Sequence, residues 1–324
     1  MAIQREDATP RSPRVSIGLP VYNGEAFLSA AIESILNQAY TDFELIISDN
    51  ASTDATEEIC RAFATHDPRI RYFRQSENLG AAPNYNFTFG KARGEYFKWA
   101  AHDDVHHPTL LEETVRGLDE HPEATLSYSR VRKINEHGEV IGTYDYLEDD
   151  LRIDDSSPHR RFSDMICVPH NCVAFFGLMR REQLALTPLH AAYEGSDRNL
   201  LAEMALRGPM HRVPEYLFDR RDHPNTYSRT RNKVRLRDRV EWWDTKQAGR
   251  IKFPTWKRAG EYAKSIRRVD LSTRERVACY AQLPRWLFGP RWYRQRWVHL
   301  LRDLANACLQ LIGRRIQSGR ASDN

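Results

Sequence analysis

The first hundred residues alternate short apolar runs with segments of helical periodicity, and this alternation restricts the fold more than any other feature of the chain. Residues 15–20 and 43–48 are apolar runs of strand length, and the segment between them repeats apolar side chains with a helical period. Repeated strand–helix–strand units predict an α/β fold, a doubly wound and mostly parallel sheet with helices on both faces. The predicted strands cover residues 15–20, 43–48, 69–74 and 95–101, and the predicted helices cover residues 24–38, 55–64 and 81–91.

Polar motifs follow three of these strands at the point where each strand ends. Pro20 to Asn23 follow the first strand, Asp49 follows the second, and Asp103 with Asp104 follows the fourth. Ligands of doubly wound sheets bind beyond the carboxyl ends of the strands, so these motifs are expected to line one crevice. No GxGxxG follows the first strand and no GxxxxGK[ST] occurs in the chain, which argues against a dinucleotide site and a P-loop.

The adjacent carboxylates of Asp103 and Asp104 repel each other and call for a compensating charge. A divalent cation with oxygen ligands is a common source of that charge, and it would also neutralise a diphosphate. Asp49 could then accept a hydrogen bond from a nucleobase N–H. The alternative is that the acidic pair forms a polar turn and helix cap before Pro108. The three motifs together favour a nucleoside-diphosphate pocket.

In order along the chain, these motifs resemble glycosyltransferase family 2, whose members have the GT-A fold. The resemblance covers roughly residues 13–230. It rests on residues 15–24 (VSIGLPVYNG), 47–54 (ISDNASTD) and 77–80 (ENLG), and on Asp103 and Asp104 followed by Pro108. The resemblance implies the nucleotide-binding residues Pro20, Tyr22, Asn23, Asn78 and Asp103, with Asp49 at the nucleobase.

The resemblance also implies a metal site. Asp103 and Asp104 stand for the family's Asp-x-Asp element, which holds the sugar nucleotide and a divalent metal, Mg²⁺ or Mn²⁺. Members often read Asp-x-Asp-Asp where this chain reads Ala-His-Asp-Asp, which leaves open which carboxylate is the ligand. Residues 216–228 resemble the family's Arg-x-His segment, so His223 would complete the metal or diphosphate shell and Arg221 would face the phosphates.

The second half of the body supplies the candidate base. An apolar run at residues 171–179 predicts a strand, and Asp197 precedes a helical run that ends at Gly208. By the resemblance, Asp197 is the general base of an inverting single displacement; the alternative is that it only caps the helix. The implied donor is a nucleoside-diphosphate sugar, and the implied acceptor is a saccharide or lipid-linked saccharide in bacterial surface polysaccharide or glycolipid assembly.

Composition divides the chain into unlike parts. Residues 230–324 contain 23 Lys and Arg against 8 Asp and Glu, together with six of the seven tryptophans, whereas the first 229 residues are net negative. We expect a polar arm at 1–13, a catalytic domain at 14–229 with a nucleotide-binding half (14–108) and an acceptor half (109–229), and a basic, Trp-rich helical region at 230–324.

That C-terminal region has two interpretations. A predicted amphipathic helix at residues 292–312, with basic residues and tryptophans, favours docking on an anionic membrane surface. The alternative is a helical subdomain packed on the acidic body. The chain has no run of about 18 apolar residues, no apolar leader and five cysteines without CxxC spacing, which predicts a cytoplasmic protein with reduced thiols.

Two other classes of protein remain as alternatives. A basic tail with aromatic residues could bind nucleic acid, but no zinc spacing or nucleic-acid motif accompanies it, so no nucleic-acid partner is expected. A sugar-nucleotide nucleotidyltransferase also uses a doubly wound sheet and a metal. Its Gly-rich, basic first loop has no counterpart in residues 20–24. Release of a nucleoside diphosphate rather than pyrophosphate separates the two enzymes.

Overall fold

The structure is a computed structural model that describes residues 12–144, 149–224, 226, 229, 245, 254–288 and 301. Its first half alternates strands and helices as predicted. In chain order these are β1 (Val15–Val21), α1 (Leu28–Leu36), β2 (Phe43–Asp49), α2 (Thr56–His66), β3 (Ile70–Arg74), α3 (Ala81–Gly90) and β4 (Tyr96–Trp99). The pairings of β1 with β2, β1 with β4 and β2 with β3 are all parallel. The predicted doubly wound α/β fold is confirmed.

The second half continues the same sheet with mixed pairings. Its elements are β5 (Val105–His106), α4 (Leu110–Glu120), β6 (Leu126–Ile134), β7 (Val140–Thr143), α5 (Pro158–Cys167), a 3₁₀ helix (Val173–Phe176), β8 (Leu178–Arg180), α6 (Arg181–Ala185), α7 (Ser196–Arg207) and β9 (Met210–Arg221). The strand order is β3-β2-β1-β4-β8-β6-β9-β5, with β7 beside β6. Strand β8 runs antiparallel to both β4 and β6, so it joins the two halves.

The strand predicted over residues 171–179 is wrong in its first part. Cys172 has a left-handed backbone with φ of 55°, and the four residues after it form the 3₁₀ helix. The strand begins only at Leu178. Val173 and Phe175 are buried in the core. The apolar run therefore indicated only that these residues are buried, and both a short helix and a strand can be buried.

Two hydrophobic cores lie on opposite faces of the sheet. On β4, Tyr96 belongs to the core beneath β1 and β2, while Phe97 and Trp99 belong to the second core, because successive strand residues point to opposite faces. Hydrophobic packing on both faces of the sheet therefore supports the strands and their aligned carboxyl ends.

Three helices of the C-terminal region pack against the second core. They are α8 (Pro254–Arg268), α9 (Thr273–Tyr280) and α10 (Gln282–Phe288). Tyr262, Ile266 and Trp286 are at most 1% exposed and belong to the same cluster as Phe162 of α5. The described part of this region is thus a helical layer on the body. Apart from residue 301, the helix predicted at 292–312 lies outside the described residues, as do Trp242, Trp243, Trp292 and Trp297. In the part of the chain that the structure describes, every helix falls short of the length or apolarity needed to cross a membrane.

Candidate active site

Parallel register brings the carboxyl ends of β1, β2 and β4 to one edge of the sheet. Val21 pairs with Asp49, and Gly18 three residues earlier pairs with Trp99. The loop after β1 then packs directly on the loop after β4. A Cβ at Gly24 would lie 2.8 Å from Cδ2 of His102, a contact that only glycine allows. The first motif and the acidic pair therefore face the same space.

The end of β9 reaches the same edge because β9 pairs with the short strand β5. The backbone N–H of Arg221 donates to Oδ1 of Asp104 at 2.9 Å, and Arg221 Nε donates to the carbonyl of Asp103 at 2.8 Å. His223 follows two residues later. Segments more than a hundred residues apart in sequence thus meet around Asp103 and Asp104.

A cavity of about 650 Å³ opens between these loops. The predicted residues that line it are Pro20, Tyr22, Asn23, Asn78, Asp103, Asp104, Arg221 and His223. Asp49 and Asp197 do not line it. Other lining residues, including Tyr85, Arg220 and Thr245, were not predicted from the sequence.

Asp103 and His223 form a carboxylate–imidazole pair at the cavity wall. Oδ2 of Asp103 lies 3.0 Å from Nε2 of His223, and their side chains are 16% and 11% exposed. Burial raises the pKa of Asp103, but the hydrogen bond from His223 and the charges of His102 and His223 outweigh burial and leave the pKa below its ordinary value. Asp103 is therefore an ionised carboxylate that faces the cavity.

Asp104 lies behind Asp103 and is 3% exposed. Burial, and then the negative charge of Asp103, raise the pKa of Asp104. Two adjacent carboxylates in a buried site cannot easily both ionise, so Asp104 tends to keep the proton. Nearby positive charge is supplied by Lys98, whose Nζ lies 2.8 Å from Nε2 of His106; burial lowers the pKa of Lys98 to about 7, against the opposing charge of Asp104.

The two arginines at the end of β9 play different parts. Arg221 was chosen from the sequence as the phosphate ligand, but its Nε and Nη1 donate to the backbone carbonyls of Asp103, Asn135 and Glu136. Those bonds brace the loops. Arg220 also lines the cavity, and within the described residues its guanidinium donates no hydrogen bond and forms no ion pair. Burial lowers the pKa of Arg220, but Tyr144 and then the negative charges of Asp104 and Asp103 outweigh burial and leave the pKa raised. The guanidinium carbon lies 5.7 Å from the centroid of the Tyr144 ring.

Asp49 sits at the predicted end of β2 but is fully buried beside the cavity rather than on its surface. Its carboxylate already accepts hydrogen bonds from Arg74 Nη1 at 2.6 Å, Tyr72 Oη at 3.0 Å and the N–H of Ser52 at 2.9 Å. Asp49 therefore holds the loop after β2 in place, and its contact with a nucleobase stays a prediction.

The opposite end of the cavity is rich in amides. Asn78 Oδ1 accepts from Asn50 Nδ2 and from the N–H of Gly80, each at 2.9 Å. Thr245 of the C-terminal region donates to the carbonyl of Asn78 at 3.2 Å and also lines the cavity. Neutral donors and acceptors of this kind suit a nucleoside, which carries no formal charge.

The N-cap of α7 is Gly195, and no side chain forms a capping hydrogen bond there, so the predicted alternative that Asp197 caps the helix is wrong. Asp197 is the second residue of α7. Its Oδ1 accepts a hydrogen bond from the N–H of Arg198 at 2.8 Å. Burial, followed by the negative charges of Asp103, Asp104 and Asp197, raises the pKa of Tyr85, which lines the cavity. Asp197 does not itself line the cavity, but Oγ of the preceding Ser196 lies 2.9 Å from Nδ1 of His190, whose ring packs on Tyr85.

The described residues contain no group of three or more His, Cys, Asp or Glu side chains that could hold a metal ion by itself. Asp103 and His223 nevertheless provide one oxygen and one nitrogen ligand side by side at the cavity. Magnesium is commonly bound by one or two carboxylates together with substrate phosphates and waters. The donor set therefore fits a divalent cation completed by a diphosphate, and not a cation held by the protein alone.

Comparison with known proteins identifies the family. The model of glycosyl transferase family 2 matches residues 16–184, about half of the chain. An uncharacterised glycosyltransferase of Rickettsia bellii is 32% identical over 142 residues, 44% of this chain and 20% of that protein. The putative glycosyltransferase EpsE of Bacillus subtilis is 38% identical over 110 residues, 34% of this chain and 40% of that protein. The chain belongs to glycosyl transferase family 2, as its motifs predicted.

The aligned segments span less than half the length of either relative. Solved structures show the same fold over a larger part of the chain. TarS of S. aureus (residues 1–349), crystallised in complex with UDP-GlcNAc, superposes with a TM-score of 0.61 at 14% identity, over 92% of this chain and 81% of that one. The GT-A type fold is therefore confirmed well beyond the segment that sequence similarity covers.

Proposed function

We propose that this protein is an inverting glycosyltransferase that moves a sugar from a nucleoside-diphosphate sugar to an acceptor hydroxyl. One observation carries the proposal. A single cavity beyond the carboxyl ends of β1, β2 and β4 has an amide-rich end at Asn50 and Asn78, and a charged end at Asp103, His223 and Arg220. A neutral nucleoside with an anionic diphosphate matches that division.

The charged end would hold the diphosphate. The Arg220 guanidinium has no hydrogen-bonding partner among the described residues. A guanidinium can bind a phosphate with two parallel N–H···O hydrogen bonds. Asp103 and His223 would hold Mg²⁺ or Mn²⁺, with Asp104 behind them as a buried neighbour rather than the main ligand. When bound, the cation neutralises the charge that develops on the leaving diphosphate. The exposure of Asp103 supports it over Asp104 as the direct ligand.

Asp197 would act as the general base. It accepts the proton of the acceptor hydroxyl as that oxygen forms a bond to the anomeric carbon, while the bond from that carbon to the diphosphate oxygen breaks. The nucleoside diphosphate departs from the opposite side, so the anomeric configuration inverts. Asp197 lies in the first turn of α7, near Tyr85 of the cavity lining, and this position supports the role. Bacterial surface polysaccharide or glycolipid assembly is the context that family membership favours.

The direct test measures product release. Purified protein is incubated with Mg²⁺ or Mn²⁺, a panel of UDP-sugars and GDP-sugars, and mixed saccharide or lipid-linked acceptors. We expect release of nucleoside diphosphate that depends on the metal and is abolished by EDTA. Asp103→Asn should lower turnover on the order of a hundredfold to a thousandfold, since a metal's charge stabilisation is worth several kcal/mol. Pyrophosphate release from a nucleoside triphosphate and a sugar phosphate would instead identify a nucleotidyltransferase.

We also propose that the C-terminal region docks on anionic membranes, where a lipid-linked acceptor would lie. Trp256, Val277 and Phe288 are 51%, 64% and 69% exposed, in a region with a large excess of Lys and Arg. Exposed apolar side chains among basic residues are typical of peripheral membrane binding. Deleting residues 280–324 would remove the buried Trp286, so point substitutions are the better probe.

Cosedimentation with phosphatidylglycerol–phosphatidylcholine vesicles tests the membrane proposal. The double variant Val277→Ser with Phe288→Ser should bind at least roughly tenfold more weakly than wild type, because two exposed apolar side chains are lost. The matched control is Val140→Ser with Ile141→Ser, which removes two exposed apolar residues on β7, outside the basic region. Equal binding by both double variants would overturn the membrane proposal and leave the glycosyltransferase proposal intact.

A further inference from the structure

Tyr85 on α3 lines the cavity and packs on His190, whose Nδ1 lies 2.9 Å from Oγ of Ser196 at the start of α7. Its ring is fixed by three other rings. The centroid distances are 5.0 Å to His190, 5.9 Å to Phe175 and 6.1 Å to Trp99, with the His190 ring edge-on. The Trp99 indole N–H also donates to the Tyr85 carbonyl at 3.0 Å. The phenol therefore has a defined position before any ligand binds.

The Tyr85 hydroxyl has no hydrogen-bonding partner among the residues that the structure describes. By contrast, the Tyr72 hydroxyl donates to Asp49 at 3.0 Å. A fixed phenol with an open hydroxyl in a cavity can donate one hydrogen bond to a ligand and accept others. The phenol is held neutral, because burial and the negative charges of Asp103, Asp104 and Asp197 raise its pKa.

The position of Tyr85 relates the two ends of the proposed reaction. Asp103 and Arg220 would hold the diphosphate, and Asp197 would hold the attacking hydroxyl. The sugar being transferred must lie between them, because its anomeric carbon is bonded to the first group and is attacked by the second. Tyr85 lines the same cavity as Asp103 and Arg220, and it packs on His190, which contacts Ser196 beside Asp197. A neutral hydroxyl is matched to the neutral hydroxyls of a sugar, whereas a phosphate is better matched by Arg220.

We propose that the Tyr85 hydroxyl forms a hydrogen bond with a hydroxyl of the donor's sugar and so helps to select which sugar is transferred. The inference rests on the proposed function and deepens it. It assigns a specificity-determining contact to a residue that neither the motifs nor the fold singled out. Loss of one hydrogen bond to a neutral sugar hydroxyl should weaken binding roughly threefold to tenfold.

The experiment compares the affinity of a nucleotide sugar with that of its own nucleoside diphosphate. Isothermal titration, with Mn²⁺ present, first selects from the panel of UDP-sugars and GDP-sugars the donor that wild type binds with the largest affinity gain over the nucleoside diphosphate. Tyr85→Phe should then reduce that gain roughly threefold to tenfold and leave the affinity for the nucleoside diphosphate unchanged. Phenylalanine preserves the ring packing, so the thermal midpoint should match wild type.

Tyr22→Phe is the matched control. Tyr22 also lines the cavity but lies in the loop after β1, at the predicted nucleotide end, so its substitution should change both affinities equally. An equal loss for both ligands in Tyr85→Phe, or no loss, overturns the sugar contact. A second measurement uses deoxy donors: wild type should bind one of them roughly threefold to tenfold more weakly than the parent donor, whereas Tyr85→Phe should bind the two equally.

The two proposals fail in recognisably different ways. If wild type binds no nucleotide sugar and releases no nucleoside diphosphate, the proposed function fails and the sugar contact fails with it. If wild type binds a nucleotide sugar and Tyr85→Phe shows the same affinity for it relative to the nucleoside diphosphate, the glycosyltransferase proposal stands and only the contact at Tyr85 is overturned.

Discussion

Two buried carboxylate sites in this protein, Glu203 and the pair of Asp103 and Asp104, have opposite surroundings. Glu203 of α7 is 1% exposed and accepts hydrogen bonds from Arg207, Arg268 and Ser265. Asp103 has one imidazole partner and faces a cavity, and Asp104 behind it has a raised pKa. A buried carboxylate with a complete set of donors stabilises the fold, whereas one with an incomplete set is prepared for a ligand.

The partners of Glu203 also explain part of the charge asymmetry of the chain. Arg268 and Ser265 belong to α8, so the basic C-terminal region neutralises a carboxylate of the acidic body. Arg258 of the same helix packs on Gly195 at the start of α7, 2.8 Å from the position of an added Cβ. The described part of the C-terminal region therefore supports the helix that carries Asp197.

Asp197→Ala and Asp197→Asn extend the comparison to the proposed general base and should have the largest effect on turnover. As the general base, Asp197 should contribute on the order of 10²-fold to 10⁴-fold to kcat, so both variants should lose that factor with an unchanged thermal midpoint. The control is Glu215→Ala, at an exposed position on β9. Near-normal turnover of the Asp197 variants in nucleoside-diphosphate release would remove Asp197 from the proposed mechanism.

Glu203→Ala should have the largest effect on stability. Its removal leaves the guanidinium groups of Arg207 and Arg268 without their carboxylate in a buried interface, which costs about 3–5 kcal/mol. The free energy of unfolding is measured in urea, and turnover per folded molecule should stay near wild type. A loss of stability below about 1 kcal/mol would show that the ion pairs are weak and that the comparison with the acidic pair is misplaced.

Arg220→Gln and Arg221→Gln form a matched pair of neighbouring substitutions. Arg220→Gln should weaken nucleoside-diphosphate binding roughly tenfold to a hundredfold, the size of a hydrogen bond to a charged group, without loss of stability. Arg221→Gln removes bonds to three backbone carbonyls and should lower the free energy of unfolding by about 1–3 kcal/mol. Titration calorimetry and urea unfolding of both variants check this. If Arg221→Gln instead weakens binding and Arg220→Gln lowers stability, the phosphate contact belongs to Arg221.

Asp222→Asn should give the smallest effect, and it depends on pH. The hydrogen bond from Arg229, and then that from Lys133, lower the pKa of Asp222 to about 2. Because the folded pKa lies below the unfolded one, the stabilisation is complete above about pH 5 and is lost as pH falls toward 2. The partially exposed partners reduce it to about 1 kcal/mol at pH 7. Urea unfolding of wild type and Asp222→Asn from pH 7 to pH 3 should show that the difference in their free energies of unfolding shrinks as pH falls. A constant difference would contradict the pairing of Asp222 with Arg229 and Lys133.

Local pattern was sufficient for the first half of the fold. Strands β1 to β4 and helices α1 to α3 were predicted within a few residues, since their apolar periodicity is local and their pairing follows from β-α-β connection rules. The second half was harder to predict. Its pairings are mixed, and residues 173–176 are helical where their apolar run favoured a strand.

Side-chain direction separated the predicted site residues that reach the cavity from those that do not. Asp103 and His223 were chosen from two separate motifs of the family resemblance, and their side chains lie 3.0 Å apart. Asp49 was chosen by the same reasoning, yet its carboxylate turns to Arg74 and Tyr72. Tyr85 carried no signal in the sequence, because an aromatic residue in an amphipathic helix ordinarily belongs to the core.

The sequence by itself determined the family, the α/β fold and the strand ends that carry the acidic and polar motifs, because these depend on local periodicity and on motif order. Only the tertiary structure decided that Arg221 is bonded to backbone carbonyls while Arg220 has no hydrogen-bonding partner among the described residues, that Glu203 is neutralised by the C-terminal region, and that Tyr85 lines the cavity. Neighbouring strand residues point to opposite sides, and charges are neutralised by partners far away in sequence. Both properties depend on how the elements pack in three dimensions.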